Sequence, residues 1–192
     1  EVFNAKGYES LYVYGGYGYF DNMNHFFSNN GYTVVDRTAI ASADIHHENI
    51  WGVADEDLFS LALREADRRH ASGRAFFAHV MTTSNHRPYT YPAGRIDIAS
   101  GTGRDGAVKY TDWAIGDFIG RARRKPWFDD TIFVIVAEHG ASARGKTDLP
   151  VARFHIPMLI YSPRHVPPGK VPFIASQIDV GPTVFGLLGF SY

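Results

Sequence analysis

TIFVIVAEHGA, residues 131–141, is the stretch whose reading decides the fold. Its apolar run, Ile132 to Val136, gives way within two residues to a carboxylate–imidazole pair, Glu138 and His139, followed by Gly140. Apolar residues in unbroken succession, bounded by polar ones, predict a strand buried on both faces, the habit of parallel sheets. In open α/β sheets ligands sit outside the carboxyl ends of the strands. An acid and a His there present one hard oxygen and one borderline nitrogen to a divalent ion. Taken alone, the pair reads more readily as an acid that caps and a His that packs, so support has to come from elsewhere in the chain.

Outward from that stretch, strands and helices alternate. Residues 11–14 form a short strand running into Gly15 and Gly16, and residues 20–30 a short helix ended by Gly31, a residue suited to a left-handed cap. Residues 32–35 are a second strand. Residues 55–71 are a helix with Leu58, Ala62 and Ala66 on one face and Gly73 just beyond. Residues 75–81 are a buried strand, followed by a polar loop over residues 82–103. The clearest helical period covers residues 104–124, where Ala107, Thr111, Ala114, Phe118 and Ala122 line a stripe widened by Val108, Ile115 and Ile119. A strand over 156–161 and a helix near 180–188 close the pattern. The expected class is α/β, a parallel or mixed sheet with helices on both faces.

The 192 residues are 45% hydrophobic and 15% aromatic, ample for one core, and a net charge of −1 gives no electrostatic case for nucleic acid or anionic lipid. No stretch approaches the roughly 20 apolar residues that span a bilayer, and no signal peptide opens the chain. The lack of cysteine excludes disulfides and Cys-ligated metals.

Two loops carry the chemistry. The first holds Thr82, Thr83, Ser84, Asn85, His86, Arg87, Pro88 and Tyr89 past a strand end, and loops this long are uncommon unless functional or disordered. His86 is suited to donate a hydrogen bond to a phosphate or sulfate oxygen, and Arg87 to neutralise its charge. The plainer alternative is a turn organised by Ser84 and Asn85 in which His86 packs. The second loop, residues 138–154, adds Arg144, Lys146, Asp148 and Arg153 to the acid–His pair. Asp21, Asp55 and Asp179 read as helix caps, and Trp51 with Gly52 as a packed turn. The run His46, His47, Glu48 lacks the spacing of a zinc helix.

Seven blocks, in order, make the chain recognisable: YGGYGYFDNMNHFF (14–27), NIWGVADEDLF (49–59), FFAHVMTTSNHRPYTYP (76–92), KYTDWAIGDFI (109–119), WFDDTIFVIVAEHG (127–140), HIPMLIYSP (155–163) and SQIDVGPTVFGLLG (176–189). Together they resemble the lipoteichoic-acid-synthase-like branch of the sulfatase/alkaline phosphatase superfamily, membrane-anchored phosphoglycerol transferases and their relatives. The resemblance covers nearly the whole chain but only the C-terminal portion of such a catalytic domain. It implies a phosphodiester transferase that forms a covalent Thr intermediate, with the nucleophile, a further ligand and the membrane anchor outside this chain. It implies Mn²⁺ or Mg²⁺ held by Glu138 and His139, His86 facing the substrate head group, a lipid- or glucan-linked phosphodiester as substrate, and a domain facing the periplasm or outside. His155 is a further candidate for the same site.

Two departures stand out. Glu138 occupies the place of the family's Asp, one methylene longer, and Asp21 and Met23 stand where Trp and Arg are usual. Hydrolysis with water as acceptor and a non-catalytic binding domain are the alternatives. The last expectation is that His86, Glu138 and His139 converge at the carboxyl ends of two parallel strands joined by the helix over residues 104–124.

Overall fold

A computed structural model of the chain describes residues 1–140 and 154–191. They fall into two compact units, residues 1–127 and residues 128–192. The first unit runs α1 (Val2–Ala5), β1 (Glu9–Tyr14), α2 (Met23–Asn29), β2 (Tyr32–Val35), β3 (Glu48–Asn49), β4 (Gly52–Val53), α3 (Asp55–Ala71), β5 (Phe76–Met81) and α4 (Arg104–Ala122). The second contains β6 (Phe133–Val136), β7 (Met158–Tyr161) and α5 (Val180–Leu187).

The first unit is built on a parallel sheet ordered β2-β1-β5. Leu11 pairs with Thr33 on one side and Ala78 on the other, so β1 is the middle strand. That position explains its composition: Leu11, Tyr12 and Val13 are all fully buried. Against the sheet packs α3, whose Leu58, Leu61 and Ala62 join Leu11, Val13, Ile40 and Val53 in one apolar cluster. A second cluster gathers Ala107, Tyr110 and Ala114 of α4 around Ala54, Phe59 and Tyr91.

The predicted stripe on α4 is present, with a correction at its margin. Ala107, Thr111, Ala114 and Ala122 are buried, but Val108 is 54% exposed and the fully buried aromatic is Tyr110. Positions 107, 110, 111 and 114 form an i, i+3, i+4, i+7 set, and residue 108 falls outside that arc. Phe118 is only half-buried and stacks on Phe59 with ring centroids 4.9 Å apart. Strand β5, expected to be buried, is half-buried along most of its length.

The opening stretch also behaves differently from its reading. β6 pairs antiparallel with β7, Phe133 opposite Tyr161, whereas β5 has β1 as its hydrogen-bonded neighbour. Only Phe133 of β6 is buried, and Val136 is exposed. An unbroken apolar run specifies a strand but not the direction of its partner, so the sequence could not supply the antiparallel pairing.

Caps divide similarly. Asp21 does not cap α2: Asp21 and Asn22 both sit in the left-handed region (φ 47° and 58°), which short polar side chains tolerate, and α2 starts at Met23 without a side-chain cap. Asp179 stands at the N-cap position of the last helix but makes no side-chain cap bond to it; its carboxylate instead closes a capping box on the 3-10 turn over residues 177–179, Oδ2 accepting the Ser176 N–H at 2.8 Å. Among the described residues no helix is long and apolar enough to cross a membrane.

Candidate functional site

The carboxyl edge of the parallel sheet gathers three chain segments. β1 runs into Gly15 and Gly16, β2 into Asp36 and Arg37, and β5 into the loop from Thr82. The β3–β4 hairpin closes over this edge: the Val53 N–H donates to the Gly15 carbonyl at 2.9 Å. Gly52 is required there, since a Cβ on it would lie 2.2 Å from the same oxygen. Asp36 fixes the neighbouring turn, its Oδ2 accepting the Gly18 N–H at 2.8 Å and its Oδ1 the Thr38 N–H at 3.0 Å.

The loop after β5 is held by a carboxylate. Asp55 Oδ1 accepts the Thr83 and Ser84 N–H groups at 3.2 and 3.0 Å, and Oδ2 accepts the Thr111 hydroxyl at 2.6 Å. The Asp55 N–H in turn donates to Ser84 Oγ at 3.1 Å, and Asn85 donates to Thr111 Oγ1 at 2.9 Å. Burial pushes the Asp55 carboxyl above its ordinary pKa, against the pull of those hydrogen bonds. Asp55 is therefore the first residue of α3 and a tie between loop and helices, not the cap predicted from sequence; the N-cap is Ala54. An acid three residues past a Trp-Gly turn gives no sequence signal for a partner 28 residues away.

Anchored in this way, the loop presents His86 and Arg87, both exposed. His86 lies on Trp51, ring centroids 3.6 Å apart and planes 31° to each other, and Phe20 meets the Trp51 ring edge-on at 5.6 Å. His86 thus packs one face on Trp51 within a turn in which its N–H donates to the Thr83 carbonyl at 3.0 Å, as the plainer reading has it, while the residue remains exposed to solvent. Trp51 was missed as its support, since nothing in sequence couples positions 35 residues apart.

Glu138 and His139 stand just past β6. Gln177 Nε2 donates to the carbonyls of Ala137 and Glu138 at 3.2 and 2.8 Å and fixes the backbone beneath them. Both side chains are exposed, with His139 Nε2 4.0 Å from Glu138 Oε2. His139 Nδ1 lies 2.8 Å from the Gly140 carbonyl, which can only accept, so this contact places a hydrogen on Nδ1 and leaves Nε2 as the ring atom facing Glu138. One oxygen and one nitrogen at this separation fit a divalent ion in kind and in reach. Arg144, Lys146, Asp148 and Arg153 lie outside the described residues; His155 is exposed ahead of β7. His86 and Arg87 belong to the first unit and Glu138 and His139 to the second.

The run at 46–48 is dispersed. Glu48 pairs with Arg37, while His46 Nδ1 meets Asp57 Oδ1 at 2.6 Å. Asp57 Oδ2 accepts the His46 N–H at 2.9 Å, and Asp57 raises the His46 pKa. His46, Glu56 and Asp57 bring donor atoms within 4.8 Å of one another. Both Glu56 oxygens, however, are taken by Arg95 at 2.8 and 2.9 Å. A guanidinium at that distance opposes a second cation, so the group is built as ion pairs.

The sulfatase family model matches residues 1–190. Phosphoglycerol transferase I of Xanthomonas euvesicatoria is 27% identical over 204 residues, covering 95% of this chain and 28% of the relative. Phosphoglycerol transferase I of Escherichia coli O157:H7 is 24% identical over 148 residues, covering 72% and 19%. Among solved structures, an alkaline phosphatase superfamily protein from Vibrio parahaemolyticus superposes with a TM-score of 0.90 at 39% identity, covering 97% of this chain and 46% of that one. The lipoteichoic acid synthase LtaP of Listeria monocytogenes gives 0.82 at 21% identity, with 99% and 52% covered. The chain thus spans about a quarter of those curated relatives and about half of those structures.

Proposed function

The chain belongs to the sulfatase family, on its lipoteichoic-acid-synthase-like branch, and from that membership we propose that it is the C-terminal portion of the catalytic domain of an envelope-associated phosphoglycerol transferase. The observation that carries this reading is the exposed His86, stacked on Trp51 with Arg87 beside it, at the carboxyl edge of a parallel sheet. Such an edge is where an α/β sheet receives ligands, and an imidazole with a guanidinium is suited to a phosphodiester.

His86 donates a hydrogen bond to a non-bridging oxygen of a lipid- or glucan-linked phosphodiester, and Trp51 holds the ring at its angle. Arg87 offsets the charge. Glu138 and His139 would hold Mn²⁺ or Mg²⁺, which supplies Lewis-acid stabilisation of charge on the reacting oxygens when bound. Two protein donors fall short of the usual three or four, so the remaining ligand and a threonine nucleophile come from polypeptide beyond residues 1–192. The same polypeptide carries the membrane anchor, with the domain facing the periplasm or outside. Glu138, in place of the family's Asp, favours one second reading: a domain that binds the phosphodiester without turning it over.

The test is glycerophosphate transfer from a lipid donor to a glucan acceptor by the full polypeptide, followed by mass spectrometry. His86→Ala should lower kcat/KM by at least about tenfold, the loss of one charge-assisted hydrogen bond. Transfer by the His86→Ala protein at the unaltered rate would overturn the assignment, and binding of donor without any transfer would favour the second reading.

A further inference from the structure

Two loops at the carboxyl edge of the parallel sheet turn apolar side chains outward. Ile50 and Trp51 form the tip between β3 and β4, and Tyr17, Tyr19 and Phe20 lie on the loop from β1 to α2. Phe20 meets Trp51 edge-on at 5.6 Å, and Tyr17 stacks on Tyr19 with centroids 5.4 Å apart, so rings from both loops meet. Ile50 is 83% exposed and Tyr19 74%, the two most exposed large apolar side chains of the first unit. A two-residue hairpin tip favours Gly, Asn, Asp or Ser, so an isoleucine there serves neither the turn nor the core.

Neither loop owes this exposure to slackness. The Trp51 N–H donates to Asn49 Oδ1 at 2.9 Å, and Asn49 Nδ2 donates to Thr90 Oγ1 at 3.0 Å. The Asn24 N–H donates to the Gly18 carbonyl at 2.7 Å, and the Gly18 N–H is held by Asp36. Side chains projected from a fixed backbone lose little freedom on docking. Tyrosine and tryptophan beside aliphatic and phenyl groups are the set that settles at a membrane–water interface, apolar bodies inward and polar tips among the head groups. Position narrows the occupant further. Trp51 is the ring on which His86 stacks at 3.6 Å. A head group that reaches His86 while its chains stay in the bilayer brings the bilayer surface against Trp51 and its neighbours.

We propose that Tyr17, Tyr19, Phe20, Ile50 and Trp51 form a rim that seats on the surface of a lipid bilayer and sets His86 at head-group depth. An anchor elsewhere ties a chain to a membrane; the rim decides which side of this domain faces it. Apolar burial drives the association. Arg37 pairs with Glu48 and lies 4.6 Å over the Tyr17 ring, Asp21 beside Phe20 is exposed, and the net charge is −1. Nothing in that set draws the rim to anionic lipid, so its binding is insensitive to salt. The rim rests on the lipid-linked substrate read for His86 for its purpose, but not for its ability to bind a bilayer.

The probes are vesicles of phosphatidylcholine, with and without phosphatidylglycerol, co-sedimented with the 192-residue protein and its variants, with circular dichroism as the folding control. The parent should partition onto both vesicle types alike, at high salt as at low. Ile50→Asn, which suits a hairpin tip better than isoleucine, and Tyr19→Ser should each weaken partitioning roughly tenfold, the loss of one apolar side chain from the contact. Val108→Ser, on the exposed side of α4, and His86→Ala should partition as the parent does. Binding lost in Ile50→Asn, with lipid-donor transfer by the full polypeptide indifferent to His86→Ala, supports the rim and refutes the substrate role of His86. Unchanged partitioning in both Ile50→Asn and Tyr19→Ser, with transfer still dependent on His86, overturns the rim and leaves the substrate role standing. Absence of vesicle binding by the parent, or self-association without lipid that Ile50→Asn abolishes, overturns the rim outright. Protection of Tyr19 and Ile50 from hydroxyl-radical labelling in the lipid-free full polypeptide does the same, since protein then covers them.

Discussion

At the scale of single residues, Asp55 and His46 show how little a side chain's type says about its duty. Asp55 reads as a cap, yet its carboxylate satisfies two loop N–H groups and the Thr111 hydroxyl. Asp55→Ala would strand these donors in a buried setting, at about 1–3 kcal/mol for each that water cannot reach. Denaturant unfolding should show a loss of roughly 3 kcal/mol or more, with Asp55→Asn milder because an amide oxygen still accepts. Loss under 1 kcal/mol for Asp55→Ala would mean that the loop is held by something else. His46 offers a pH test. Hydrogen bonding and charge from Asp57 raise its pKa above the ordinary 6.5. Folding therefore favours the protonated ring, and the stabilisation is complete below about 6.5 and fades as pH rises through the folded value. Nuclear magnetic resonance should find the His46 pKa above 6.5, returning toward the ordinary value in Asp57→Asn. A His46 titration at or below 6.5 would contradict the ion pair.

Elements were legible where a period or a punctuating residue marked them. The ranges of β2 and α3 match their sequence reading, because a β-rich run and a helix followed by Gly73 carry local signals. The face of α4 was less so, since Val108 and Tyr110 are both apolar-capable and only tertiary contact decides which turns inward. Glycines within α4 turn this into an experiment with opposite signs. Replacing a helical Gly by Ala normally stabilises by about 1 kcal/mol. Gly116 has open space where a Cβ would go, so Gly116→Ala should raise stability by about 0.5–1 kcal/mol. At Gly106 the same atom would sit 2.3 Å from Tyr91 Oη and 2.9 Å from Ile98 Cγ2. Gly106→Ala should therefore destabilise, because Tyr91 stacks on Tyr110 at 4.9 Å and is hydrogen-bonded to the Ile98 and Ala99 carbonyls. Stabilisation by both substitutions would show that the α4 face is wrongly placed.

Across the whole molecule, the order of blocks disclosed the family and the α/β class, while the pairing of β6 with β7 and the His86–Trp51 stack depended on contacts between distant segments. The candidate site was legible as residue types, His86 and Arg87 in one loop, Glu138 and His139 in another, but not as geometry. What that geometry provides limits what the 192 residues do alone. The hydroxyls nearest His86 in sequence are already committed: Thr83 donates to the Val53 carbonyl at 3.1 Å, and Ser84, 2% exposed, accepts the Asp55 N–H. Both are buried, and the neighbouring Asp55 carboxylate is taken up by their own N–H groups and by Thr111, so neither hydroxyl is open to a substrate. Glu138 and His139 supply two exposed donors, and an ion bound by two protein ligands must complete its shell with water. Calorimetry with Mn²⁺ should accordingly find at best weak binding that disappears in His139→Ala. With a chromogenic phosphodiester and Mn²⁺, the chain should give no turnover above buffer. Turnover that vanishes in a Glu138→Ala, His139→Ala double variant would show instead that a nucleophile resides within these residues, and would move the reacting centre into this chain.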